Sequence, residues 1–351
     1  MKTSVIIPTL NRSASLRLTL NSLLDQPMDR DCDEIVVVDN ASVDDTRDVV
    51  EKIIREQPER RIVYCHEPVP GLLSGRHRGF YQSAGDVLIF IDDDIYADAG
   101  WLNAIKAAFM DPDVHLVGGK NLPEYQSDTP EWLKAFWKKE GTQTWCDYLS
   151  VLDFGNEPMD LDPLFIWGLN FSIRRQALIS LGGFHPDYVP KPYHFYHGNS
   201  ETGLAIKAHE KGLKIVYQPA AVVRHRIPES RLSIDYFEKR MFLYGMSDSY
   251  TDIRLNRAIN ADWKLVEPIP ACRSLWRKLR SRLSRDPYAQ IKQQVSQAWW
   301  TGYAFHQKKV LHSPELLDWV LKENYWDYRY GPYKSTSIDL PSNLNGPGII
   351  H

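Results

Sequence analysis

Through the first third of the chain, short unbroken apolar runs alternate with amphipathic stretches. The runs are Val5–Ile7, Ile35–Val38, Ile62–Tyr64 and Val87–Ile91, and helical patterns lie between them at about Ser15–Gln26, Asp44–Glu56 and Leu73–Ala84. Val/Ile runs without polar alternation belong to strands covered on both faces, so the βαβαβ order predicts an α/β fold with a mostly parallel sheet flanked by helices. In such sheets ligands gather beyond the carboxyl ends of the strands. Farther along, Leu213–Tyr217 and Ala221–Val223 read as two short strands. Beyond about Ser230 the pattern turns to helical stretches rich in aromatics, such as Tyr236-Phe237, Trp299-Trp300 and Trp326-Asp327-Tyr328.

Each predicted strand end is polar or turn-forming: Pro8-Thr9-Leu10-Asn11-Arg12, Asp39-Asn40-Ala41-Ser42, Glu67–Gly71, and finally Asp92-Asp93-Asp94. Three carboxylates leaving a buried strand form a hard-oxygen site for Mg²⁺ or Mn²⁺. Such an ion, held by one or two protein carboxylates, completes its shell with phosphates, so the expected ligand is a nucleoside diphosphate. Aspartates also serve as turn residues and helix caps, which is the alternative for the triplet. Asp39 can accept from the N–H of a nucleobase, whereas Asn40 and Ser42 can equally cap the helix that follows. In Gly71–Gly79 the glycines permit close approach, while Arg76 and Arg78 either meet a phosphate or carboxylate or form a solvated basic face.

The 351 residues, 43% hydrophobic and 25% charged, suffice for a full core, and a net charge of −3 gives no global attraction for nucleic acid. Four cysteines without CxxC spacing indicate neither a zinc site nor a disulfide framework and fit a reducing cytoplasm. The N-terminus opens directly on a strand, without a basic segment leading into an apolar one. No apolar run reaches about 18 residues, so neither a signal peptide nor a membrane span is expected. Between Arg273 and Arg285, six basic residues and no acidic ones accompany Leu275, Trp276, Leu279 and Leu283. That is an amphipathic basic helix, lying either on an anionic membrane at the inner face of the cell or on the protein itself. Ser335–His351, rich in Pro, Gly, Ser and Asn, is expected to be a loose tail.

The ordered series Val5–Arg12, Val36–Ser42 and Phe90–Asp94 resembles family 2 glycosyltransferases, nucleotide-sugar enzymes of the GT-A fold, and the similarity extends over about residues 1–226. The resemblance implies that Asp39 contacts the base and that Asp92, with Asp93, lies near the ribose and phosphates. Asp94 would coordinate the metal, and Pro8, Thr9 and Arg12 would shape the nucleotide pocket. Gly168–Arg175 matches the acceptor-side segment. Trp167 and Asn170 are therefore expected to face sugar, the ring stacking on a pyranose and the amide bonding hydroxyls, although Trp167 fits a core position equally well.

The segment His197–Lys207 resembles the family's acidic motif at a helix start, with Ser200-Glu201 where Glu-Asp is usual. Glu201 is then the general base for an acceptor hydroxyl, kept ionised by the helix N-terminus; the alternative is a capping glutamate. His225, in Arg224-His225-Arg226, sits where the family carries a histidine that completes the metal shell. The expected activity is inverting, metal-dependent transfer from a nucleotide-sugar, UDP being the family's commonest carrier, to a glycan or lipid-linked acceptor of a cell-surface polysaccharide. Residues 1–230 would form the catalytic domain, divided near residue 100 into nucleotide and acceptor halves, with 231–334 a helical extension bordering the acceptor. The rival readings are a noncatalytic nucleotide- or sugar-binding module and a sugar nucleotidyltransferase, but Pro8–Arg12 lacks the glycines of a triphosphate loop.

Overall fold

The computed structural model describes residues 1–260, 286–330 and 332–334. The basic stretch 273–285 and the tail 335–351 lie outside the described residues. The first half runs β1 (Thr3–Thr9), α1 (Ser13–Leu24), β2 (Asp33–Asp39), α2 (Thr46–Glu56), β3 (Ile62–His66), α3 (Leu72–Gln82) and β4 (Val87–Phe90). Then come β5 (Ile95–Ala97), α4 (Trp101–Ala108) and the long β6 (Val114–Tyr125). The predicted strands and helices are all present, with ends displaced by one or two residues.

In the sheet order β3-β2-β1-β4 every pairing is parallel. Val5, Ile7, Val36 and Ile89 are fully buried, as strands sandwiched between helix layers require. The register aligns Thr9 with Asp39 and Ile6 with Phe90, so the polar strand ends open on one edge. α3 approaches closely because Gly79 lies on its inner face, where a Cβ would collide with Ile6.

Beyond β4 the sheet becomes mixed. A meander of short strands, β7 (Lys138–Glu140), β8 (Gln143–Cys146), β9 (Val151–Asp153) and β10 (Met159–Asp160), precedes β11 (Phe171–Arg174) and α5 (Arg175–Ser180). β11 runs antiparallel between β4 and β6, pairing Phe171 with Phe90, so the residues leading into β11 arrive at the edge where β4 ends. α6 (Ser200–Glu210) and β12 (Lys214–Ile227) follow. The two strands expected at 213–223 are one, because a register shift between Gln218 and Val222 absorbs Pro219 as a bulge and lets the ladder on β6 continue. β5 pairs antiparallel with β12 and sets His225 opposite Ile95; the Arg226 N–H donates to the Asp94 carbonyl at 2.9 Å.

The C-terminal part comprises α7 (Ile234–Asn256), α8 (Ala289–Leu311) and α9 (Pro314–Leu321). α7 and α8 pack so tightly that a Cβ on Gly245 would strike the Trp299 carbonyl, and one on Gly302 the Phe242 carbonyl. Trp319, Tyr325, Trp326, Tyr328 and Tyr330 are buried in the same cluster as Phe184, Tyr196 and Leu204. The aromatic richness read from the sequence is thus spent on docking this part to the sheet. Among the described residues, no helix is long and apolar enough to cross a membrane.

Candidate active site

A cleft of about 1030 Å³ opens at the edge where β1 and β4 end and is roofed by α7. Pro8, Thr9, Arg12, Arg76, Asp92, Asp93, Trp167, Glu201 and His225 all line it. Nine residues singled out from segments up to 217 positions apart (225 − 8) therefore meet in one cavity.

At the strand ends, charge is closely matched. Thr9 Oγ1 donates to Asp93 Oδ2 at 2.7 Å. The Arg12 guanidinium spans Asp93 at 2.7 Å and Asp94 at 2.9 Å, and Arg231 reaches Asp94 Oδ2 at 2.8 Å. Burial pushes the Asp93 carboxyl up to about 7 against the pull of Arg12. Burial would raise Asp94 too, but the cationic Arg231 and Arg12 outweigh it and hold that carboxyl below the usual range. Burial and neighbouring Asp94 push Asp92 upward, and Asp92 has no ion pair among the described residues.

His225 is buried beneath this cluster. Its Nδ1 lies 2.7 Å from the Leu149 carbonyl, so that nitrogen carries the proton and Nε2 keeps a lone pair. Nε2 accepts from Arg231 at 2.6 Å and stands 3.4 Å from Asp94 Oδ2. Asp94 Oδ1 is buried with no hydrogen-bond partner. The orphaned Asp94 oxygen suits a divalent cation, and His225 Nε2, which now accepts from Arg231, would join it only once Arg231 gives way. Among the described residues no three His, Cys, Asp or Glu side chains form a group that could hold a metal ion by themselves; a cation that completes its shell with phosphates needs only one or two protein ligands.

Across the cleft, Glu201 lies in the first turn of α6, just after Ser200, whose φ is +43°. The buried Arg76 pairs with Glu201 Oε2 at 2.7 Å and also donates to Ser200, while the Gly168 N–H donates to Oε1 at 2.8 Å. Burial acts to raise Glu201, but Arg76 prevails and keeps it ionised. Arg76 is not part of a solvated helix face: its side chain is 3% exposed.

Asp39, Ser42 and Asn170 stand differently. Asp39 lies behind the cleft wall, its carboxylate accepting from the Ser42 N–H and the Tyr64 hydroxyl, both at 2.8 Å. Ser42 Oγ accepts from the Asn11 N–H, tying the β1 and β2 loops together. Asn170 does not reach the cleft. Its Oδ1 accepts from Trp101 Nε1 at 3.0 Å and its Nδ2 donates to the Ala221 carbonyl at 2.8 Å, so the amide stitches β11 to α4 and β12. Trp167 does line the cleft, its Nε1 anchored on the Leu164 carbonyl.

Sequence reasoning passed over Asp187, Arg231 and Arg240, which also line the cavity. Burial and nearby Glu201 push the Asp187 carboxyl up to about 7, with Arg76 and Arg240 only partly offsetting them. His197 reinforces this. Ser247 Oγ donates to the Gly198 carbonyl and lies 3.1 Å from His197 Nε2, so that nitrogen donates and Nδ1 presents a lone pair 3.4 Å from Asp187 Oδ1. A lone pair facing a carboxyl favours its protonated form. One signal for Asp187 was available: it is the sole acid between Gly183 and Glu201.

The sequence model described as glycosyl transferase family 2 matches residues 4–179, half of the chain. A glucosyl-dolichyl phosphate glucuronosyltransferase of Haloferax volcanii is 25% identical over 264 residues, covering 72% of this chain and 78% of that protein. A validoxylamine A glucosyltransferase of Streptomyces hygroscopicus is 28% identical, covering 60% of this chain and 52% of its own. Among solved structures, the mannosyltransferase PcManGT of Pyrobaculum calidifontis, in complex with GDP-Man and Mn²⁺, superposes with a TM-score of 0.55 at 17% identity. It covers 90% of this chain and 88% of its own, so it shares the fold, which is GT-A. With half its length matched by the family's own pattern, the chain belongs to glycosyl transferase family 2 and is a glycosyltransferase.

Proposed function

We propose that the protein moves a sugar from a nucleoside-diphosphate donor, UDP-linked by preference, to a hydroxyl of a glycan or lipid-linked glycan in cell-surface polysaccharide synthesis. The transfer inverts the anomeric centre. The observation that carries this reading is the meeting of Asp92, Asp93 and His225, with Asp94 buried against His225, and the ionised Glu201 across one cleft.

Asp94 Oδ1 and His225 Nε2 would hold a Mn²⁺ or Mg²⁺ ion, to which Asp92 adds negative charge. Such an ion, when bound, supplies positive charge to the diphosphate. Asp39 and Ser42 would serve the base, and Pro8, Thr9, Arg12 and Asp93 the ribose and phosphates. Arg12 and Arg231 stand ready to neutralise the leaving group. Glu201, aimed by Arg76 and the Gly168 N–H, takes the proton of the acceptor hydroxyl. As it does so, the hydroxyl oxygen bonds to the anomeric carbon and the bond to the diphosphate oxygen breaks. One displacement needs one base and no carboxylate nucleophile. Trp167 offers a ring on which the sugar stacks. Residues 1–230 carry this chemistry with the exception of Arg231, the first residue of the 231–334 extension, whose α7 borders the acceptor.

Incubation with UDP-sugars and a glycan acceptor tests the reading by its products. Transfer releases free nucleoside diphosphate. A sugar nucleotidyltransferase would give pyrophosphate, and a noncatalytic module would give neither.

A further inference from the structure

Of the cationic side chains lining the cleft, four have acids. Arg12 pairs with Asp93 and Asp94, Arg76 with Glu201, Lys138 with Asp147, and Arg231 with Asp94. The fifth is Arg240 on α7, which has no carboxylate within ion-pair distance among the described residues. Its Nη1 donates to the Tyr188 hydroxyl at 2.7 Å, and its Nη2 to Ser150 Oγ at 2.9 Å and the Tyr244 hydroxyl at 3.0 Å. Nε is buried without an acceptor. Three of five N–H donors are thus spent on neutral hydroxyls. The phenols offer no negative charge near neutral pH, since ionisation of Tyr188 is pushed up to about 12 and that of Tyr244 higher still. A guanidinium cannot shed its proton, and this half-buried one lines the open cleft with no carboxylate within ion-pair distance among the described residues.

The setting points to a ligand. Tyr188, which holds Nη1, has a left-handed φ of +44° and is 50% exposed beside the cleft, a strained conformation of the sort that collects at binding sites. Ser150 directly follows Leu149, whose carbonyl fixes His225, and Tyr188 directly follows Asp187. Arg240 is therefore tied to both the diphosphate side and the acceptor side of the cleft. We infer that Arg240 is a substrate-reading residue that binds an anionic oxygen group, phosphate or carboxylate, through its fixed positive charge and the free N–H of Nη1. A charge held in place by three hydroxyl contacts suits both groups. The group belongs to the donor's diphosphate, to a uronic sugar on the donor, or to a phosphorylated acceptor. Calling it a substrate group rests on the transferase reading; the anion site itself does not.

Calorimetric titration of the full chain and of Arg240→Gln separates these sources. The probes are UDP, GDP, UDP-glucose and UDP-glucuronate with Mn²⁺, then geranyl phosphate with and without nucleotide. Arg240→Gln should weaken at least one class roughly ten- to hundredfold. Loss on every nucleotide assigns the diphosphate, loss on UDP-glucuronate alone the sugar carboxylate, and loss on geranyl phosphate alone the acceptor. Should wild type bind geranyl phosphate through Arg240 but no nucleotide, the anion site would stand and the donor reading would fall. Unchanged affinity for every probe in a folded Arg240→Gln, or no binding of any probe by wild type, overturns the proposal. If the glutamine variant does not fold, Arg240→Lys keeps a charge but loses the planar guanidinium that the three hydroxyls hold in place. It should weaken the same probe several-fold, roughly three to ten; an unchanged Kd there has the same contrary meaning.

Discussion

The two ends of the cleft settle their charges in different ways. At the strand ends, Asp93 and Asp94 interlock with Arg12, Arg231 and His225, leaving one buried oxygen of Asp94 over. At the opposite end, Arg76 satisfies Glu201, while Asp187 and Arg240 face the cavity without ion partners of their own. The first arrangement holds its shape before any substrate arrives. The second keeps charge in reserve for groups that the substrate must bring. On the proposed reading, a prebuilt nucleotide end beside an acceptor end of unfinished polarity would give the transferase a fixed leaving-group site and a selective receiving one.

The sharpest test of that division is Glu201→Gln. It removes the base but leaves the strand ends intact, so transfer should fall roughly a thousandfold while nucleoside-diphosphate affinity changes by no more than about threefold. Steady-state rates with parallel calorimetry report the split, and a matching loss of nucleotide binding would merge the two ends into one unit. Next in size is Gly302→Ala, whose Cβ meets the Phe242 carbonyl and forces α7 and α8 apart. A stability loss of about 2–4 kcal/mol is expected by denaturant titration. Because the strand-end acids are carried by the sheet rather than by α7, nucleotide binding should survive at temperatures where transfer is lost.

Asp187→Asn probes the reserve charge through pH. In the folded protein the Asp187 carboxyl titrates at about 7, above its ordinary 3.8, so the native state holds the proton more firmly than the unfolded chain. That contribution is fully present below about pH 4 and is lost as pH rises through 7. Asparagine stays neutral throughout, so at pH 8 the variant should be more stable than wild type by on the order of 2–4 kcal/mol, with the difference vanishing near pH 4. Urea titrations across that range measure it. The smallest effect belongs to Gly168→Ala. Its Cβ collides with the terminal nitrogen of buried Arg76 and comes within 3.0 Å of Glu201 Oε1. Displacing this pair should lower kcat about tenfold with little change in nucleotide affinity.

The same contrast decided what the sequence disclosed. Thr9, Arg12, Asp39 and Asp92–Asp94 follow directly on apolar runs, so their place at the sheet edge comes from strand period and parallel order. Glu201 was legible because it opens a helix in a familiar pattern. Arg240, Tyr188 and Ser150 meet only through tertiary packing between α7 and loops 52 and 90 residues away, which no local periodicity encodes. Asn170 misled because an amide beside Trp167 suits a sugar. It is instead claimed by the buried indole N–H of Trp101, whose need for an acceptor appears only once α4 is folded against β11. Likewise the two short strands read at 213–217 and 221–223 are one, since a bulge carries β12 past Pro219.

Titration of wild type and Asp94→Asn with UDP, GDP and dTDP, each with and without Mn²⁺, tests the central claim most directly. One nucleotide should bind wild type tightly only with Mn²⁺, and Asp94→Asn should abolish the metal's effect, because it removes the charge behind the unpaired oxygen. Metal-independent binding that is indifferent to Asp94→Asn, or no binding of any of the three, would contradict a cation-bridged diphosphate at Asp94 and His225.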